Sequence, residues 1–162
     1  MAANQERNFY REAAALLSAA RAATLATVTA AGLPHAALVT PALDAGGEPV
    51  LLLSDLAAHT RNLRANPACA LLVSGAAVDA NPQTAPRLLL SGVAWIVDDA
   101  AARARFLLAH PYAGQYAGFG DFNLWRVRVS DAHYVGGFAA ASRLRIAALQ
   151  HEINRIFENT SG

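Results

Sequence analysis

The stretch "RLLLSGVAWIVD", Arg87 to Asp98, decides the fold. Its unbroken apolar run reads as one long strand, bounded by the loop "GAAVDANPQTAP" before it and by the acidic pair Asp98 and Asp99 after it. Gly92 sits in the middle. An interior glycine weakens a strand unless it serves a bulge or lets another backbone come close, so the sheet is expected to bend sharply there. A sheet that closes on itself needs such corners.

Working outward, "ACALLVS" and "VLLLS" read as two further strands. "ATLATVTAAG" and "PHAALVTPALD" read as a hairpin turned at Gly32, with Pro41 marking an edge or a bulge. Toward the C-terminus "NLWRVRVSDAHYVGG" alternates, with Leu124, Arg126 and Arg128 on one face and Trp125, Val127 and Val129 on the other. Helical spacing of apolar residues marks Gln5 to Arg21 and "LAAHTRNLRAN", and also "DDAAARARFLLAH", capped by Asp98 or Asp99. A final amphipathic helix is expected over about 141–158, with Ile146, Leu149, Ile153, Ile156 and Phe157 on one stripe. Six strands joined mostly by hairpins make an α+β protein built round a small antiparallel barrel with flanking helices. A doubly wound sheet would need helices between most strands.

The 162 residues form a single domain with a sizeable core, since a chain of this length buries roughly 70% of its unfolded surface. Apolar residues make up 54% and charged ones 15%, a surplus that calls for a second subunit or a ligand over part of the surface. A net charge of +1 without any basic cluster argues against nucleic acid as a partner. The N-terminus is polar and no apolar run spans a bilayer, so no membrane is expected and the location is cytoplasmic. The single cysteine, Cys69, lies inside an apolar strand with no cation beside it and reads as a buried small hydrophobe.

"SDLAAHTRN", Ser54 to Asn62, carries the most chemistry. Ser54 or Asp55 can cap the helix, and a helix start presents unpaired N–H groups and partial positive charge. His59, Thr60, Arg61 and Asn62 add an imidazole, a hydroxyl, a guanidinium and an amide within one turn, donors suited to a phosphate. The same residues also fit a capped helix with a solvated polar face. His35, His59, His110, His133 and His151 show no ligand-pair spacing, so no metal site is assigned. Arg87 opens its strand after a proline-bounded loop, where it serves either an anion or the surface. Gly136 and Gly137, in "GGF", would let backbone approach a flat ligand.

From about Arg21 to Phe138 the chain resembles the pyridoxamine 5'-phosphate oxidase-related proteins with the FMN-binding split barrel, and most of all their haem-utilisation branch. The motifs are "ATLATV" with "GLPHAALV", "LLLSDLAAHTRNLRANPACALLV", "PRLLLSGVAWIVDD", and "YAGFGDFNLWRVRV" with "HYVGGF". The resemblance implies an antiparallel six-stranded split barrel and a homodimer with FMN at the subunit interface. The flavin phosphate would be held by Ser54, His59, Thr60, Arg61 and Asn62. The backbone at Ala37, Leu38 and Val39 would approach the ring, and Arg87 would reach it from the partner subunit. It further implies an FMN-dependent oxidoreductase acting on a small-molecule redox substrate, with no catalytic acid or base assigned. The alternatives are a haem-binding or haem-utilisation protein using His133 or His151 as axial ligand, and a non-catalytic module for FMN or F420. The oxidase's own tryptophan and arginine signature is not evident after Val129.

Overall fold

The structure is a computed structural model that describes residues 2–137 and 140–160, with side chains from Asn8 onward. Phe138 of the "GGF" motif lies outside the described residues. Helix α1 (Ala2–Ala19) is followed by the hairpin β1 (Ala23–Val28) and β2 (Pro34–Val39), then by a second hairpin of β3 (Pro41–Leu43) and β4 (Pro49–Ser54). Helix α2 (Ala58–Ala65) leads into β5 (Ala68–Ser74) and β6 (Arg87–Ile96). Helix α3 (Ala100–Ala109), β7 (Phe122–Val135), β8 (Ala141–Leu144) and α4 (Ile146–Thr160) complete the chain.

All pairings are antiparallel, in the order β2-β1-β5-β6-β7-β4-β3, with β8 also on β7. Strands β2 and β3 stand at opposite ends of this order, yet only Thr40 separates them in the chain. One residue cannot bridge the width of a flat sheet, because each strand adds about 4.8 Å. The sheet must therefore curl until its two edges meet. The barrel is also split along β7, whose first half pairs with β4 at Phe122–Arg126 and whose second half pairs with β8 at Ala132–Val135.

The curl is sharpest where the sequence places Gly92. Ser91 lies opposite Asp131 and Gly92 opposite Val129, so Ser130 is an extra residue on β7, and its hydroxyl donates to the Ser91 carbonyl. A Cβ on Gly92 would lie 1.9 Å from the Arg128 carbonyl oxygen, which only glycine avoids. The bulge also reverses the alternation of β7. Trp125 and Val127 face the interior before it, and Ala132 and Tyr134 after it.

The main core fills the barrel with Leu25, Leu51, Leu71, Leu90 and Val127, and α1 and α4 close it through Ala13, Leu17, Leu149 and Ile153. A second core packs α3 against the outer side of β4 and β7, with Phe106 against Val50, Leu52 and Leu124. Leu124 and Trp125 are thus both buried, one in each core. Cys69 is buried as expected, and burial pushes its thiol up to about 11.

The sheet has eight strands where six were expected. Pro41 separates β2 from β3, because the chain leaves one edge there and joins the other. The expected helix over about 141–158 begins only at Ile146. Ala141–Leu144 instead pairs with β7, with Leu144 buried and Arg143 bonded to Asp131. Asp99, not Asp98, caps α3 by accepting from the Ala102 N–H. Neither Ser54 nor Asp55 caps α2. Its N-cap is Ala57, which makes no side-chain bond.

Candidate functional site

Two surfaces of the barrel gather the residues singled out by the sequence. The first is the start of α2 against β1 and β2. The backbone enters the helix after a turn in which the Ala57 N–H bonds the Ser54 carbonyl, and the first helical bond runs from the Arg61 N–H to the Ala57 carbonyl. The N–H groups of Ala58, His59 and Thr60 lie before that bond, where a helix is an anion acceptor. Asn62 donates to the hydroxyl of buried Thr27 at 3.0 Å, which ties α2 to β1. Thr27 is paired with His35 on β2. Burial and the neighbouring His35 hold the His59 imidazole below the usual histidine range, which favours its neutral form.

Two polar atoms in this region are buried without a hydrogen-bond partner among the described residues, the hydroxyl of fully buried Thr60 and Nδ1 of His35. Buried polar groups are rarely left so. Ser54 and Arg61 are engaged elsewhere. The Ser54 hydroxyl donates to Asp121 at 2.6 Å, and Arg61 turns back to donate to the Leu56 carbonyl at 2.6 Å. Asp55 is held by Arg64 and by Asn123.

The second surface is the outer face of β2, β1, β5, β6, β7 and β8. The register places Leu38, Thr24, Leu72, Leu89, His133 and Arg143 side by side in one row across these six strands. Leu38 is 78% exposed, and Leu72 and Leu89 are each 38% exposed. A parallel row of small residues, Ala36, Ala26 and Ala70, runs beside the leucines and leaves a shallow apolar lane. His133 is exposed and makes no hydrogen bond among the described residues, although it lies near enough to Asp131 to hold that carboxyl low, after the larger effect of the Arg143 bond. Arg87 opens β6 on this same face and donates to the carbonyls of Gln83 and Ala85.

The sequence-predicted residues therefore divide. His59, Thr60 and Asn62 gather at the start of α2 with His35 and Thr27. Leu38 and Arg87 belong to the outer face, together with His133. Ala37 and Val39 alternate with Leu38 and turn inward on β2, an edge strand with β1 as its neighbour. His151 is exposed on α4. The buried His110 is structural, with Nε2 2.8 Å from the Pro41 carbonyl. The exposed leucine row was not singled out from the sequence, though it was available there. In "ACALLVS" and "RLLLSG" strict alternation must turn Leu72 and Leu89 away from the core that holds Leu71 and Leu90. No group of three metal-ligating side chains occurs among the described residues, and no helix there is long and apolar enough to cross a membrane.

A split, curled antiparallel sheet with flanking helices defines the split-barrel class. The chain belongs to the pyridoxamine 5'-phosphate oxidase family, whose sequence pattern matches residues 9–136. It is 42% identical over 113 residues to the chloroplastic protein named non-canonical heme oxygenase HOZ of Arabidopsis thaliana, a match covering 68% of this chain and 34% of that protein. The chain thus spans about a third of that curated relative. Among solved structures it is similar to a heme binding protein from Mycobacterium smegmatis, with a TM-score of 0.82, 34% identity, and coverage of 88% of this chain and 60% of the other. The heme storage protein HutZ of Vibrio cholerae shares the fold, with a TM-score of 0.61, 22% identity, and coverage of 74% and 84%.

Proposed function

We propose that this protein binds haem on the outer face of the barrel and works in haem utilisation as a homodimer. The observation that carries the reading is the row Leu38, Leu72, Leu89 and His133. It joins an exposed apolar lane to an imidazole that makes no hydrogen bond among the described residues. A porphyrin needs flat apolar contact, an axial ligand for its iron, and cations for its propionates. The leucines with Ala26, Ala36 and Ala70 would give the contact, His133 the ligand, and Arg87 and Arg143 the cations. Haem supplies redox and oxygen chemistry when bound; the chain's part is to hold it, orient it and keep water from one face. The names of the Arabidopsis and Mycobacterium relatives, 42% and 34% identical, support this choice. Haem binding is the share of their chemistry proposed for a chain that spans only part of each.

The second copy follows from the same face. Exposed leucines on a sheet surface call for a cover, and a second subunit would bury Leu38, Leu72 and Leu89 around the ligand. A haemin titration tests the reading. A saturable Soret shift is expected with wild type, and a weaker, spectrally altered complex with His133→Ala. An unchanged spectrum in that variant removes His133 as ligand.

A second reading is favoured by the orphaned Thr60 hydroxyl and His35 Nδ1. They would serve an FMN phosphate at the start of α2, with Ser54, His59, Arg61 and Asn62 around it and the β2 backbone at Ala37 to Val39 along the ring. In that case the flavin supplies the electron transfer to a small-molecule substrate. Titration with FMN, followed by flavin fluorescence in wild type and Thr60→Val, distinguishes it from the haem reading.

A further inference from the structure

A cavity of about 620 Å³ opens between the C-terminal end of α1, the strand β3 and the helices α3 and α4. None of His133, Leu72, Leu89 or the α2 residues lines it. Its wall is apolar, with Leu17, Leu43, Ile156 and Phe157, and its volume falls in the range of small-molecule sites. Four polar side chains interrupt the wall: Ser18, Arg21, Arg105 and Thr160, whose hydroxyl donates to the Ile156 carbonyl at 2.8 Å.

Ser18, Arg21 and Arg105 have donor capacity that the fold does not use. The Ser18 hydroxyl is buried without a partner among the described residues. Arg105 is fixed by its Nε bond to the Leu43 carbonyl at 3.0 Å and by stacking 4.2 Å from the centre of the Phe157 ring. Arg21 reaches across to the Ala109 carbonyl at the end of α3. Neither guanidinium has a carboxylate within 4.0 Å among the described residues. Three acids, Asp44, Glu48 and Asp99, line a neighbouring cleft that Arg105 also borders, but Arg126 engages all three, at 2.8, 3.8 and 2.6 Å. Two preoriented cations and an orphaned hydroxyl in an apolar wall match a ligand with an apolar body and one anionic head.

We propose that this cavity binds an apolar monocarboxylate, the carboxylate meeting Arg105 and Arg21 and the hydrocarbon lying against Leu17, Ile156 and Phe157. The test is calorimetric titration of the full chain with dodecanoate, alongside dodecanol and dodecylammonium, below their micellar concentrations. Dodecanoate is expected to bind 1:1, at least about tenfold more tightly than dodecanol, because charge-assisted bonds to guanidinium are lost with the alcohol. Arg105→Gln and Arg21→Gln should each weaken it about tenfold, and Ala20→Trp, which fills the cavity without changing charge, should abolish it. Thermal melts confirm that each variant folds. Haemin titration of Ala20→Trp should match wild type, which separates this site from the outer face. Absence of saturable dodecanoate binding overturns the proposal, as does equal affinity for dodecanol or undiminished binding in the folded variants.

Discussion

Replacing Gly92 by alanine is the sharpest perturbation of the fold. The new Cβ would lie 1.9 Å from the Arg128 carbonyl oxygen, where ordinary contact begins at 3.4 Å, and the atom it meets is backbone. No rotamer relieves that clash, so β6 and β7 must separate at the bulge. Overpacking of a well-packed site costs about 1–3 kcal/mol, and loss of one or two strand hydrogen bonds adds about 1 kcal/mol each. A total of about 4 kcal/mol lowers the melting temperature of a domain this size by about 12 °C. Gly114→Ala is the control, because nothing lies within 4 Å of its Cβ position. Differential scanning fluorimetry of both variants reads the difference. A Gly92→Ala loss smaller than about 3 °C would refute the close approach of the two strands, and with it the origin assigned to the barrel's corner.

Three further outcomes are expected. Thr60→Val removes a fully buried hydroxyl that has no partner, so the protein without ligand should gain about 1 kcal/mol in urea unfolding; a loss of that size would mean the hydroxyl is bonded. His59 has a folded pKa below its unfolded value near 6.5, so its contribution to stability is full above that pH and declines as pH falls toward the folded value. Urea unfolding at pH 7.5 and 5.5 should show a smaller decline in His59→Gln than in wild type, and equal declines would count against it. The Cys69 thiol, raised from 9.0 to about 11, should be alkylated by iodoacetamide at pH 8 roughly 100-fold more slowly than a free thiol, and at the ordinary rate once the protein is unfolded.

The fold was legible where side-chain type and period agreed. Gly92 announced the corner because no other role suits a glycine inside so apolar a strand. The alternation of β7 was correct up to Val129 and reversed beyond it, since one inserted residue, Ser130, changes the face of everything after it. The strand β8 was hidden because "ASRL" continues smoothly into a helical pattern, and its pairing with β7 is a long-range contact that no local period reports. At α2 the residue types marked a polar helix start, but the caps they offered, Ser54 or Asp55, are engaged elsewhere: Ser54 by Asp121, 67 positions along the chain, and Asp55 by Arg64 and Asn123. The outer leucine row required the register of five strand pairs, and a list of motifs contains no registers.

The haem reading is tested most directly by mapping where a porphyrin sits. Gallium protoporphyrin IX, a diamagnetic stand-in for haem, titrated into ¹⁵N-labelled protein should move the amide signals of Leu38, Leu72, Leu89 and His133 and leave those of Ala58 to Asn62 in place. Shifts confined to Ala58–Asn62, with the outer row unmoved, would contradict it.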